Sequence, residues 1–307
     1  MSAPESIRRI LVPLDGSRLA ETVLPSAFAV AARTGAIVTL FHVIEHNPPE
    51  SVHGEPHLET FSQAAAYLGS VAERWQHAGV PFEMHIHETK AHDVAESIAQ
   101  HAVELQADLI AMATHGSGGI RGLLFGTIAQ QALRRTSTPL LLLEPGEEEP
   151  RFVDGTILVP VGGSDGEHDP ALPLAVLLAR SLHARLHLVQ VVPTVGTVGQ
   201  GQRGAATFAP TATAAMLDLE GQQATRALEE LRRQIDGGLT VTGEVRRGAV
   251  VEELEQAIAE SGAGLVVMST HARGTGLDGI FNGSVGARLV GRTEVPYVFL
   301  PLPRGSA

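Results

Sequence analysis

Cysteine is absent from the chain, which excludes disulfides, thiol catalysis and thiolate metal sites. Lysine occurs once, at Lys90, so the Gly-Lys-Ser/Thr run of a Walker phosphate loop cannot be assembled. Aromatic residues make up only 4% of the chain, and any core must therefore be built from Ala, Val, Leu and Ile. No apolar run approaches the ~18 residues that a membrane span requires. Met1 to Arg9 holds no apolar signal core, and a soluble, cytoplasmic protein is expected. Positive charge is scarce as well: 22 Lys and Arg stand against 34 Asp and Glu, a formal net charge of −12. Such a surface repels phosphate backbones and anionic lipid, so neither nucleic acid nor membrane is an expected partner.

What the sequence does have is length and self-similarity. Its 307 residues suit two domains of ordinary size, and 44% of them are apolar. Ile10-Leu11-Val12-Pro13-Leu14-Asp15-Gly16-Ser17 returns as Ile157-Leu158-Val159-Pro160-Val161-Gly162-Gly163-Ser164. Leu109 to His115 returns as Leu265 to His271, and Thr138 to Leu143 as Val295 to Leu300. The acidic, Pro-bearing stretch Glu144 to Pro150 is too polar to pack and reads as a linker. The expected division is a first domain over 1–145, a linker over 146–153 and a second domain over 154–303. Each copy alternates strand and helix signals. The strand signals are apolar runs rather than strict alternations, as parallel strands covered on both faces require. Two doubly wound, mostly parallel five-stranded α/β sheets follow. Ligands in such sheets bind at the carboxyl ends of the strands, so functional residues are expected just after strands one, two and four. The long connections Glu45–His57 and Pro193–Thr213 are read as loops, the second as mobile.

Three segments of the first copy converge on that rim. After strand four, Ala113-Thr114-His115-Gly116 is followed by nine residues and then Gly126-Thr127. A glycine-rich turn entering a helix presents unpaired backbone N–H groups to an anion, and the helix dipole at Thr127-Ile128 adds to the attraction. A surface loop without a ligand has the same composition. Strand one ends in Pro13-Leu14-Asp15-Gly16-Ser17, where the Asp15 carboxylate could accept from a ribose hydroxyl or an adenine amine. Asp15 and Ser17 are equally suited to cap the helix that follows. Strand two ends in His42-Val43-Ile44, whose backbone could read a base edge or belong only to the core.

This set, Val12-Pro13-x-Asp15-Gly16-Ser17, His42-Val43-Ile44 and Met112-Ala113-Thr114-His115-Gly116-x9-Gly126-Thr127, resembles the universal stress protein family. The ATP-binding members of that family show the pattern G-x2-G-x9-G-[ST]. The resemblance implies an open, adenine nucleotide alpha hydrolase-like fold with ATP, with or without Mg2+, lying across the strand ends. Asp15 and the Val43 backbone, beside Pro13, Leu14 and Met112, would hold the adenosine. Ala113, Gly116, Gly126 and Thr127, with Ile128 behind them and His115 in the same loop, would hold the phosphates. Ala113 replaces the first glycine of the pattern. The second copy departs further: Gly162 replaces the Asp15 counterpart, Ser269 and Ala272 replace two glycines, and ten residues rather than nine follow Ala272. A structural or pairing role is expected for it.

Competing chemistry is present but fragmentary. Gly162-Gly163-Ser164-Asp165-Gly166 has nucleophile-elbow spacing, with His168 or His271 as a base. Ser17 holds the matching place in the first copy without an elbow around it, so Ser164 reads better as a helix cap. Asp15-Gly16-Ser17-Arg18-Leu19-Ala20 has one glycine where a dinucleotide fingerprint needs three. Ten of the 14 histidines lie in the first copy, and His85 and His87 share one face of a strand. Solvated or hydrogen-bonded histidines are the reading adopted, with no metal site. The leading function is an adenine-nucleotide-binding regulatory protein with no catalytic residues and at most slow ATP hydrolysis through His115. The alternatives are an ATP-using enzyme of a related class and a ligand-free dimerisation scaffold. The final strands, Leu140–Leu143 and Tyr297–Leu300, are expected to pair within the chain because apolar edges are a liability. Further homodimerisation is left open.

Overall fold

The computed structural model describes residues 4–114, 127–144, 150–162, 169–197, 208–235, 237–271, 285–290 and 292–302. The first half runs β1 (Arg9–Pro13), α1 (Arg18–Glu21), α2 (Leu24–Thr34), β2 (Ile37–Glu45), a hairpin of β3 (Ser51–Val52) and β4 (Glu55–Pro56), α3 (Phe61–Trp75), β5 (Phe82–Ala91), α4 (Val94–Glu104), β6 (Leu109–Ala113), α5 (Thr127–Arg135) and β7 (Leu140–Leu143). The second half continues with β8 (Thr156–Pro160), α6 (Leu172–Ser181), β9 (Arg185–Val192), α7 (Pro210–Ile235), β10 (Val241–Arg247), α8 (Val250–Ser261), β11 (Leu265–His271), α9 (Val285–Val290) and β12 (Tyr297–Leu302).

The strands form one ten-stranded sheet in the order β10-β9-β8-β11-β12-β7-β6-β1-β2-β5. Every pairing in it is parallel except that of β12 with β7. Within each half the order is third-second-first-fourth-fifth, the doubly wound arrangement. The two five-stranded sheets expected from the sequence are fused at their fifth strands. Leu141 sits opposite Val298, flanked by Leu140 opposite Phe299 and Leu142 opposite Tyr297. Leu141 and Val298 are equivalent positions of the two repeats, offset by 157 residues. An approximate two-fold axis therefore passes between them.

Alternation along the strands sends side chains to two cores, one on each face. Ile10, Val12, Leu40, Leu109 and Leu141 join Val298 and Leu300 on the face covered by α2, α3, α6 and α7. Leu11, Phe41, Ile110, Met112 and Leu140 join Tyr297 and Phe299 on the face covered by α4, α5, α8 and α9. Both cores run without a break across the junction. Phe152, inside the stretch expected to be linker, is fully buried and belongs to the first of them. Its backbone lies so close to Gly264 that a Cβ there would stand 2.5 Å from Arg151, which leaves room for glycine alone.

Local signals set the element ends. Ser17 caps α1 by accepting from the Ala20 N–H, and Thr60 and Gln63 form a capping box at α3. Asp93 caps α4, and Gly35 in the left-handed region ends α2. The connection read as a loop over Glu45–His57 contains the β3–β4 hairpin. Its two turn residues are His53 (φ 50°) and Gly54 (φ 86°), the positive-φ pair that a two-residue hairpin turn demands. The connection read as loop up to Thr213 is already helical from Pro210, and residues 198–207 of it lie outside the described residues.

Candidate functional site

The rim at the carboxyl ends of β1, β2 and β6 bounds a cavity of about 170 Å3. Pro13, Leu14, Asp15, Val43, Met112, Ala113 and Ile128, all nominated from the sequence, line it together. Thr127 begins α5 at the same place, but its side chain lies outside the described residues, as do His115, Gly116 and Gly126. Ser164 and His168 of the nucleophile-elbow reading also lie outside them, and so does the His271 side chain.

Strand β1 delivers Leu14 and Asp15 in a fixed posture. The Leu14 N–H donates to the Phe41 carbonyl at 2.8 Å, and its own carbonyl accepts from Nδ1 of His42 at 2.7 Å. A carbonyl only accepts, so Nδ1 carries the proton. Burial is the main force lowering the pKa of His42, reinforced by His57 and opposed by the Leu14 carbonyl and by Asp15, so the ring is held neutral. One oxygen of Asp15 accepts from the Ser17 backbone at 2.9 Å and from the Ser17 hydroxyl at 2.6 Å. The other lies 3.8 Å from Nε2 of His53. Asp15 thus braces the residue that caps α1 and still turns an oxygen toward the cavity. The cap and ligand roles weighed from the sequence are compatible in one side chain.

Gly16 makes this turn at φ 96°, and a Cβ there would stand 3.0 Å from Leu58. Substituting Gly16→Ala is expected to cost about 1–2 kcal/mol through left-handed backbone strain alone, with Leu58 forced aside. A denaturation midpoint equal to that of the unmodified chain would refute this.

Strand β2 runs in register with β5 to Val43 opposite His87, then shifts before Glu45 pairs with Ala91. This irregularity interrupts the ladder just after Val43. On β6, Thr114 donates its N–H and its hydroxyl to the Leu143 carbonyl, at 2.6 and 3.0 Å, anchoring the start of the following loop.

The sequence reading missed the third wall. Val52 and His53 of the hairpin, together with Glu45 and His57, line the cavity. His57 is buried, and its Nε2 lies 3.2 Å from the Glu45 carboxylate. Glu55 accepts from the Arg18 backbone at 2.8 Å, tying the hairpin to α1. The dipeptide His53-Gly54 between Ser51-Val52 and Glu55-Pro56 was the available signal.

His46, His85, His87, His92 and His101 are not part of the cavity lining. His92 packs against His46 with ring centroids 4.3 Å apart and planes tilted by 33°. His85 and His87 each approach His101 of α4 at 5.0 Å. Among the described residues, no three His, Asp or Glu side chains are placed to hold a metal ion. Burial first, and the neighbouring His101 second, lower the pKa of both His85 and His87. With His42, three imidazoles therefore bind protons less readily in the folded chain than in the unfolded one. Stability is expected to be complete above about pH 7 and to fall as pH drops through about 6.5. Denaturation midpoints measured between pH 5 and 8 check this. A flat profile in a His42→Gln/His85→Gln/His87→Gln variant, against a sloping one in the parent, would assign the slope to these rings.

The profile of the universal stress protein family matches residues 6–144 and again residues 155–301. The chain belongs to the universal stress protein family. It is 27% identical over 147 residues to a universal stress protein of Mycolicibacterium smegmatis, covering 47% of this chain and 48% of that one. It therefore spans about half the length of that relative. It is 31% identical over 138 residues to a universal stress protein of Thermus aquaticus, covering 44% of this chain and 98% of the relative. The crystal structure of a universal stress protein from Archaeoglobus fulgidus superposes with a TM-score of 0.67 at 17% identity, over 95% of this chain and 98% of that one. The tandem, adenine nucleotide alpha hydrolase-like α/β fold is thus that of a two-domain family member. No described helix is long and apolar enough to cross a membrane.

Proposed function

We propose that the N-terminal half binds an adenine nucleotide, ATP or a close relative, as a regulatory ligand. The observation that carries this reading is the convergence of Asp15, Val43, Met112, Ala113 and Ile128, from four separate chain segments, on one cavity. Its volume of about 170 Å3 is below the ~300–1,000 Å3 of pockets that enclose a whole ligand. It suits a planar base, with ribose and phosphates leaving along the open rim. Its walls are apolar at Leu14, Phe41, Met112 and Ile128, as a base face requires. The Asp15 oxygen that does not bond Ser17 offers an acceptor for a ribose hydroxyl or an exocyclic amine, shared with His53. The phosphate end falls to residues 115–127, whose glycine-rich sequence enters α5. Bound ATP would act by shifting the population of rim conformations.

In this reading the protein is not an efficient enzyme, and hydrolysis is at most slow. Residues 115–127 contain no Asp or Glu that could serve as a general base there. Nucleotide retained by the freshly purified chain, identified by mass, and a calorimetric titration of the stripped chain with ATP test the proposal. A flat titration would leave a pairing scaffold, which the continuous β7–β12 junction already favours as a second role. Rapid turnover of ATP with a small acceptor would establish an enzyme instead.

A further inference from the structure

The two edges of the sheet, β5 in the first half and β10 in the second, are equivalent strands of the repeat. His85 of β5 stands opposite Phe41, and Glu244 of β10 stands opposite Val189, the strand neighbours of Pro13 and Pro160. Two residues further on, His87 matches Arg246. On the helices that follow, counting from Val94 of α4 and Val250 of α8, His101 matches Ala257 and Glu104 matches Glu260. In the second half Arg246 closes this place. Its Nε donates to Glu244 at 2.7 Å, its guanidinium pairs with Glu260, and it lies 3.9 Å from Glu253. A cation of the chain's own thus holds the edge strand to the helix there.

In the first half three imidazoles and a carboxylate take those places. The His85 and His87 rings each lie 5.0 Å from that of His101, with planes 53° and 83° from it. Two imidazoles bound to one tetrahedral zinc, with Zn–N at about 2.1 Å, have centroids about 5 Å apart. Nδ1 of His101 donates to the Ser97 carbonyl at 2.8 Å, which leaves the lone pair of the neutral ring on Nε2. A backbone carbonyl on the far nitrogen is how metal-binding imidazoles are oriented. Nε2 faces a Glu104 carboxylate oxygen at 3.7 Å. These are two acceptors across one gap, and a tetrahedral zinc bonded to both would set them about 3.4 Å apart. The Glu104 charge also acts on His85 and His87. His101 is buried, whereas His85 and His87 are half-buried and open a path from solvent. As they stand, the four groups do not close on one point, so the two strand rings must turn about their side-chain torsions to do so.

We propose that His85, His87, His101 and Glu104 bind a zinc ion that fastens the edge strand β5 to α4, the task that Arg246 performs in the second half. None of the four lines the first cavity, so the site does not depend on nucleotide binding. Three imidazoles and one carboxylate complete a tetrahedral set without a water, the pattern of a structural rather than a catalytic metal.

The test is titration of the full-length chain, free of any affinity tag and stripped of metal, with Zn2+ against a chromogenic chelator and without nucleotide. One ion per chain is expected, bound in the micromolar range, and saturating zinc should raise the thermal midpoint by several degrees. Co2+ in its place should give the visible absorption of a tetrahedral complex. His85→Gln and His87→Gln, both at half-buried positions, should each weaken zinc at least about tenfold, since even the outer partners of metal ligands are worth that much. Glu104→Gln should weaken it as well. The double variant His46→Gln/His92→Gln removes the neighbouring histidine pair and should bind zinc like the parent. Circular dichroism reports whether each variant is folded, and either strand variant carries the test if the other is not. Absence of saturable binding below millimolar zinc would overturn the proposal. So would affinity that the folded strand variants leave unchanged, or affinity lost in His46→Gln/His92→Gln alone.

Discussion

Replacing Asp15 by alanine is expected to weaken adenine-nucleotide binding about tenfold to a hundredfold. That range is what loss of one or two hydrogen bonds to a charged acceptor costs in affinity. The substitution also removes both acceptor bonds to Ser17, the residue that caps α1. A cap is worth about 1 kcal/mol, so part of the loss would come from a loosened rim. Asp15→Asn separates the two contributions. It keeps an oxygen for the Ser17 N–H and hydroxyl while removing the charge that faces the cavity. An affinity loss in Asp15→Asn close to that in Asp15→Ala would place the effect in the ligand contact. Recovery in Asp15→Asn would place it in the cap. Unchanged calorimetric affinity in both variants would remove the first-half rim from consideration. His53, 3.8 Å from the same carboxylate, sharpens the experiment. A ligand donor must share Asp15 with that ring, so His53→Ala should change affinity in the parent and not in Asp15→Ala.

Truncating Phe299 to alanine should destabilise the fold by about 3–5 kcal/mol, the usual cost of emptying a buried aromatic site. Phe299 is fully buried, stacks on Tyr297 at 5.6 Å with ring planes 9° apart, and stands opposite Leu140 across the antiparallel seam. The cavity would open where the halves share a core, so the damage should not stay within the second half. Urea denaturation followed by probes in each half checks this. Trp75, the chain's single tryptophan, packs on Phe28 at 4.5 Å and reports on the first half. A Phe299→Ala chain in which the Trp75 transition keeps its midpoint would show that the halves are energetically independent.

Much of the fold was legible because its determinants are local or periodic. Apolar runs such as Leu140–Leu143 and the recurrence of Ile10–Leu14 as Ile157–Val161 can be read without knowing what lies across the chain. The strand-end rule then places Asp15, Val43 and Ala113 at one rim. The hairpin over 51–56 escaped because each of its strands has two residues, too short for a periodic signal, and because His53 rather than Asn or Asp occupies its first left-handed position. The wall made by His53, His57 and Glu45 escaped with it.

Sequence alone determined the tandem family fold, the duplicated strand–helix order and the residues that meet at the first rim, since repetition and hydrophobic period survive in a linear string. Only the tertiary structure decided that ten strands form one sheet, that Leu141 meets Val298 at its centre, and that the hairpin brings His53 against Asp15. Those outcomes depend on through-space distance. His53 stands 38 residues from Asp15 along the chain and 3.8 Å from it in the fold, and nothing in the order of residues records that approach.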